Sequence, residues 1–369
     1  MRKAVVLTGI LVYILFCLNS FANGLKIGYL APSKGAFATF SESFLNGLYL
    51  GISQDTSVIM QDSSNNNLEQ DLENLYLAGA DVVIGPFIAQ NINKIEKKLC
   101  ESDIVTILPF ARAQYNCDNI FIYNYDPIEA AKQLANKVCL DNSSSVLLMY
   151  SYSNLNIMKK NAFIEAFSSF CKKHLYTQGF DVRKNYDDLV RSIFNVQKIK
   201  DEGILLSDED VFIHSFDVDN VIIFAPQNDF LSIANMMDYY DVEPKNIFST
   251  DVTINEQLLS TKRGTIKKIH FITPYYLCNN STINREFLEK YRKEYQTTPD
   301  FMAALGFDIG RILKDSDRVS LKAKLASMSD FEGLIGTLLF FDDNHKALID
   351  YKMVNYKEIR ICKKMTFKQ

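Results

Sequence analysis

Apolar residues along this chain come in short unbroken runs, separated by longer stretches in which they recur every three or four positions. Leu25–Leu30, Val58–Met60, Asp81–Ile84 and Ile104–Pro109 read as strands that are apolar on both faces. Between them, Phe44, Leu45, Leu48 and Leu50 give Ser41–Ile52 a helical stripe. Leu68, Leu72 and Leu75, and then Ile92, Ile95 and Leu99, repeat the helical spacing. Strands buried on both faces and alternating with helices imply a parallel sheet covered on each side, a Rossmann-like lobe of α/β class.

The alternation restarts near Tyr125. Asp126 is placed to cap a helix that opens on Pro127, with Glu129 in the capping-box position. Ile128, Ala131, Leu134, Ala135 and Val138 form its stripe. Val146–Tyr150, Asn220–Phe224, Asn246–Ser249 and residues 270–273 read as further strands. Phe163, Phe167 and Phe170 line one helix and Phe230–Tyr239 forms another. Residues 185–215 are polar with weak periodicity and read as an irregular connection. Phe287, Tyr291 and Tyr295 recur on a charged helix read as exposed, and Pro299-Asp300 opens the next one. Gly336–Phe341, a turn at Asp342–His345, Ala347–Val354 and Tyr356–Cys362 carry β-hairpin patterning.

Composition narrows the class. The chain has 369 residues, 47% of them hydrophobic, which suits two α/β lobes. Met1-Arg2-Lys3, the apolar run Ala4–Cys17 and Ser20-Phe21-Ala22 have the layout of a secretory signal peptide spanning 1–22. The mature chain is expected to begin at or near Asn23, in the periplasm or outside the cell. Cys17 follows the bulky Phe16, which makes a poor lipidation site. The formal charge of −4 becomes −6 when Arg2 and Lys3 leave, which argues against a nucleic-acid partner. Six cysteines remain, and the closeness of Cys100 and Cys117 around one strand and loop makes them the best candidate disulfide. There is no C-x-x-C, and His174, His214, His270 and His345 lack ligand spacing, so no metal and no cofactor are expected. Phosphate-loop, dinucleotide, serine-hydrolase and zinc-protease motifs are missing, and the chain is read as a non-enzyme.

Four ordered segments then resemble a known family, the type I periplasmic binding proteins of the leucine/isoleucine/valine-binding and receptor ligand-binding type. Lys26–Leu30 followed by Ala31-Pro32-Ser33-Lys34-Gly35 is similar to that family's opening strand and loop. Ala78–Pro86 is similar to its "GADVVIGP" segment, Pro299–Asp308 to its "PDxxAAxGYDA" helix, and Phe331–Asp342 to its "FxGxxGxxxFD" segment. The resemblance implies two Rossmann-like lobes with parallel sheets joined by three crossovers. It places lobe 1 in residues 23–124 plus 275–329 and lobe 2 in 125–274 plus 330–369. It also implies a small-molecule ligand held in the cleft between the lobes. Parallel sheets independently put ligand sites at the C-terminal ends of strands, where loops and helix starts offer free N–H groups.

Both routes select the same loops, and with them Ser33, Gly35, Phe37, Gly85, Pro86, Phe87, Phe110, Arg112, Tyr150, Tyr152 and Gln227 as ligand-binding candidates. Amino-acid binders of the family hold the ligand with hydroxyls after the Gly-Pro loop and in the loop that follows. Here those stretches read Gly85-Pro86-Phe87-Ile88-Ala89-Gln90 and Pro109-Phe110-Ala111-Arg112. An amino-acid-like or anionic ligand is expected, with Arg112 as its cation. Delivery to an ABC permease in the membrane is the first functional expectation. The alternative is the branch of penicillin-binding protein activators, whose Gly-Pro loops also lack the hydroxyl and whose partner is a cell-wall synthase.

Overall fold

The computed structural model describes residues 24–64, 67–111, 113, 115–182, 185–198, 212–261 and 263–366. The expected signal peptide lies outside them. In chain order, β1 (Lys26–Ala31), α1 (Ala38–Gly51), β2 (Ser57–Asp62), α2 (Leu68–Leu77), β3 (Val82–Ile84), α3 (Ala89–Cys100), β4 (Val105–Leu108) and β5 (Ile120–Ile122) come first. There follow α4 (Pro127–Leu140), β6 (Ser145–Ser151), α5 (Asn154–Phe170), β7 (His174–Phe180), α6 (Tyr186–Phe194), β8 (Gln197–Lys198) and β9 (Phe212–Ile213). Next are β10 (Asn220–Phe224), α7 (Gln227–Tyr239), β11 (Asn246–Thr250), α8 (Glu256–Ser260), α9 (Arg263–Lys268) and β12 (Ile269–Ile272). The chain closes with α10 (Thr282–Tyr295), α11 (Phe301–Leu313), α12 (Leu321–Ala326), β13 (Phe331–Glu332), β14 (Thr337–Phe341), β15 (Ala347–Asp350), β16 (Met353–Val354) and α13 (Tyr356–Thr366).

Two compact units result. Unit 1 takes the chain up to Asn124 and again Glu286–Ile349; unit 2 takes Tyr125–Arg285 and everything from Asp350. The sequence expectation switched units at 275 and 330. Residues 275–285 stay with unit 2 because Cys278 is bridged to Cys362 and the Tyr276 hydroxyl donates to Glu358 O at 2.9 Å. Residues 330–349 stay with unit 1 because Phe341 packs edge-on against Phe121 at 5.3 Å and Ile122 N donates to His345 O at 2.9 Å.

Unit 1 is built on a parallel five-stranded sheet in the order β2-β1-β3-β4-β5. Its strands are buried as their unbroken apolar runs require, except the edge strand β2, which is partly exposed along its whole length. Helices α1 and α11 cross at backbone contact. A Cβ on Gly47 would stand 1.9 Å from Ala303 O, and one on Gly306 would stand 2.0 Å from Phe44 O. Asp300 caps α11, accepting from Ala303 N at 2.9 Å and from the Ser43 hydroxyl of α1 at 2.5 Å. The Phe287, Tyr291, Tyr295 stripe of α10, read as exposed, faces inward. Phe287 is fully buried against Phe307, ring to ring at 4.6 Å, and the Tyr295 hydroxyl donates to Asn46 O.

Unit 2 carries a six-stranded sheet, β16-β12-β11-β10-β6-β7, parallel except for β16. Its central strand β10 is buried at every residue. Asp126 caps α4 through Ile128 N and Glu129 N, as expected from Asp126-Pro127. Part of the 185–215 connection is helical (α6), and Val190 and Phe194 are buried. Two corrections remain: Ala347–Val354 is split into β15 (Ala347–Asp350) and β16 (Met353–Val354), the latter paired with β12, and Tyr356–Cys362 is helix and not strand. Asn355 Oδ1 accepts from Lys357 N at 2.9 Å while Glu358 Oε2 accepts from Asn355 N at 2.8 Å, a reciprocal capping box that outweighs the local alternation of Ile359 and Ile361.

The cysteines pair within units. Cys100–Cys117 ties the end of α3 to the loop before β5 in unit 1, with Cα atoms 5.3 Å apart. Cys139–Cys171 and Cys278–Cys362 close in unit 2, at 5.6 and 5.1 Å. Among the described residues no helix is long and apolar enough to cross a membrane.

Candidate functional site

The strand C-terminal ends of unit 1 bring together Ser33, Gly35, Phe37, Gly85, Pro86, Phe87 and Phe110. After β1 the chain turns through Ser33, whose N–H donates to Asp62 Oδ1 at 3.0 Å. Burial opposes ionisation of Asp62, but donors from Ser33 and Ser64 outweigh it and hold the carboxyl well below the ordinary range. Gly35 sits at φ 77, and Phe37 is half exposed at the start of α1. Residues 33–37 form an exposed loop.

The Gly-Pro loop behaves differently. Gly85 has φ 111, and a Cβ there would meet Leu30 O at 2.2 Å, so only glycine lets the loop lie against β1. The peptide bond between Gly85 and Pro86 is cis. Phe87 then turns its ring inward. It is 8% exposed and lies 5.3 Å from Tyr29, 4.9 Å from Phe44 and 5.1 Å from Phe110, in edge-on and tilted contacts. The Tyr29 hydroxyl is committed to Ser41 O at 2.7 Å, and burial pushes its pKa upward. The cis Gly85-Pro86 bond is thus followed directly by an aromatic plug. Ala111 is buried, with its carbonyl accepting from the Asn124 amide at 2.6 Å. Arg112, the expected cation, lies outside the described residues.

Unit 2 brings Tyr150, Tyr152 and Gln227 to the C-terminal ends of β6 and β10. Tyr150 stacks edge-on with Tyr152 at 5.9 Å, and the Lys160 ammonium stands 5.1 Å from its ring. Tyr152 is largely exposed. The Gln227 amide is spent inside the protein. Its nitrogen donates to Thr253 O and Asn255 Oδ1, both at 3.0 Å, and its oxygen accepts from Thr253 N and Oγ1. It latches the loop after β11 and offers little to a ligand.

Sequence reasoning missed a charged pair at this end of the unit 2 sheet. Lys159, 2% exposed on α5, donates to Asp251 Oδ2 at 2.7 Å and lies 4.8 Å over the Phe224 ring. Asp251 ends β11 in the left-handed region at φ 63 and also accepts from the Thr250 hydroxyl. Tyr125 beside it is pushed well upward, first by burial and then by the Asp251 charge. The signal was present, since Asn156, Lys159, Phe163 and Phe167 fall on one helical stripe and a lysine in such a stripe needs a partner. The pair neutralises the Asp251 carboxylate, which could otherwise meet a ligand's ammonium group. Among the described residues no cluster of three or more His, Cys, Asp or Glu side chains could hold a metal.

Comparison with solved structures gives the fold. The chain is similar to a protein from Rhodospirillum rubrum described as a branched-chain amino acid ABC transporter, at TM-score 0.73 and 15% identity, covering 89% of this chain and 96% of that one. It is similar to the C-domain of LpoA from Haemophilus influenzae, described as a regulator of PBP1A, at TM-score 0.65 and 16% identity, covering 90% and 97%. Of full-length LpoA it covers 57%. LivJ of Streptococcus pneumoniae, solved with isoleucine, matches at TM-score 0.56 and 19% identity, covering 90% and 97%. No curated protein matches. The architecture is that of the type I periplasmic binding proteins. Residues 12–345 also match the model of the family described as "LppC putative lipoprotein", and with nearly the whole fold inside that span, the chain belongs to the LppC family.

Proposed function

We propose that this chain is an exported, non-catalytic binding protein that regulates a cell-wall synthase of the penicillin-binding protein class by direct contact. The observation that supports this reading is the closed ligand end of unit 1. Phe87 fills the space between Tyr29, Phe44 and Phe110, where an amino-acid binder would keep polar groups open. In unit 2, Lys159 already compensates Asp251, and Gln227 is hydrogen-bonded to its own neighbours. A zwitterion would lose hydrogen bonds to charged groups, each contributing about 1.5–3 kcal/mol. Membership of the LppC family and likeness to the LpoA C-domain point in the same direction.

The second reading is solute capture for an ABC permease. The open Ser33–Phe37 loop and the exposed Tyr152 favour it, together with Arg112 as a cation for an anionic or partly apolar ligand. Purified mature protein added to a penicillin-binding protein polymerising its lipid-linked substrate should raise the rate of glycan synthesis. Titration with leucine, isoleucine and valine should show binding weaker than micromolar. An unchanged polymerisation rate together with submicromolar binding of any of the three would reverse the order of the two readings.

A further inference from the structure

The edge of the unit 1 sheet is left unprotected. β2, Ser57-Val58-Ile59-Met60-Gln61-Asp62, pairs with β1 on one side in unbroken register, and among the described residues no strand pairs with its other side. Ser57 N donates to Leu25 O and Ser63 N to Ala31 O, so the odd-numbered residues face β1. Alternation therefore turns the N–H and C=O groups of Val58 and Met60 outward. Edge strands are commonly guarded by lysine, proline or a bulge, and β2 has none of these. Met60 is instead 58% exposed.

Beside this edge runs a groove of about 430 Å³ between β2 and α1. Its apolar wall includes Pro32, Ala38, Leu45 and Met60, and Glu42 and Asp62 contribute carboxylates. No Lys or Arg is among the residues lining it. We propose that this groove and the open edge of β2 form one docking site for an extended protein segment whose every second side chain, the set facing the groove, is apolar and basic in turn. Such a segment adds a strand to β2 through its backbone, sets its apolar side chains on Leu45 and Met60, and meets Glu42 and Asp62 with its basic ones. A second copy of this chain fits poorly, because β2 itself carries no lysine or arginine to meet Glu42 and Asp62. The identification of the segment's owner rests on the proposed contact with a penicillin-binding protein; the site itself does not.

Two measurements separate these claims. A short synthetic peptide repeating valine-serine-lysine-serine, which sets valine and lysine in turn on one face, is titrated into isotope-labelled mature protein, beside a counterpart with glutamate in place of lysine. The expected result is amide shifts at Val58, Met60 and Leu45, with the basic peptide binding about tenfold tighter or more. Met60→Lys and Glu42→Lys, both at exposed positions, should each weaken it about tenfold. Equal binding of the two peptides, shifts centred elsewhere, or a dimer that Met60→Lys dissolves would overturn the site. The variants are then tested for binding to the purified penicillin-binding protein. If the unmutated protein binds and both variants bind equally well, the docking site is wrong while the functional proposal stands. If the unmutated protein does not bind, the functional proposal fails and the peptide titration decides the site alone.

Discussion

Replacing Gly306 by alanine sets two physical effects of opposite sign against each other. In an exposed helix, Gly→Ala is favourable by about 1 kcal/mol. Here the new Cβ would lie 2.0 Å from Phe44 O, 2.9 Å from the Phe44 carbonyl carbon and 3.0 Å from Leu48 N, all backbone atoms that no rotamer change can move. Relief requires α1 and α11 to separate by roughly 1.5 Å, since carbon–oxygen contacts are comfortable only near 3.5 Å. That movement loosens Phe44 and Leu48, both fully buried. Overpacking of this kind typically costs about 1–3 kcal/mol, and more where backbone must shift. Net destabilisation of about 2–3 kcal/mol is expected. Gly310→Ala, whose Cβ would stand 2.8 Å from Leu48 O, should cost less. The chain has no tryptophan, so urea unfolding is followed by circular dichroism or tyrosine emission. A Gly306→Ala protein as stable as the original, or less affected than Gly310→Ala, would refute the close-crossing argument.

Further outcomes follow from groups described above. Burial raises the Asp308 carboxyl from 3.8 to about 7, against donors from Leu334 N and Ile335 N, with Arg311 and Tyr123 the groups facing it. Its folded pKa is the higher one, so its stabilisation is complete below 3.8 and lost as pH rises towards 7. The loss amounts to about 4 kcal/mol at most. Unfolding measured between pH 4 and 7 should show this slope, and Asp308→Asn should flatten it. Alkylation of the mature, unreduced protein under denaturing conditions should modify none of Cys100, Cys117, Cys139, Cys171, Cys278 and Cys362. Loss of the Cys100–Cys117 bridge by double alanine substitution should cost about 3 kcal/mol. Mass spectrometry of the processed protein should find its N-terminus at or near Asn23, and a lipid-modified Cys17 would instead place cleavage earlier.

Elements with unambiguous periodicity were legible. β1, β3, β4 and β10 are apolar on both faces, and the run of alternation from Leu25 onward was enough to imply a doubly covered parallel sheet. β5 was not found, because three residues between polar loops carry no period. The direction of the Gly-Pro loop could be read from Gly85, but not the destination of the next ring. Whether Phe87 points outward or joins Tyr29 and Phe44 depends on packing across β1 and α1. α13 failed for a similar reason. Ile359-Arg360-Ile361 alternates like a strand, yet its cap and the Cys278–Cys362 bridge act through residues outside that window.

The close crossing of α1 and α11 has a consequence for how the molecule acquires its structure. The two helices are separated by most of the chain, and Tyr125–Arg285 of unit 2 lies between them in sequence. A chain emerging N-terminus first presents the glycine-faced, phenylalanine-lined side of α1 long before its cover exists. Contacts of such sequence separation must close a long loop before they contribute, which slows folding and prolongs the exposure of apolar surface. Unit 2 is nearly continuous in sequence and should consolidate early, leaving the five-stranded sheet of the first unit waiting for α11. The aggregation-sensitive interval of this protein is therefore the time between emergence of Phe44 and arrival of Gly306, and a chaperone would act most usefully on that face.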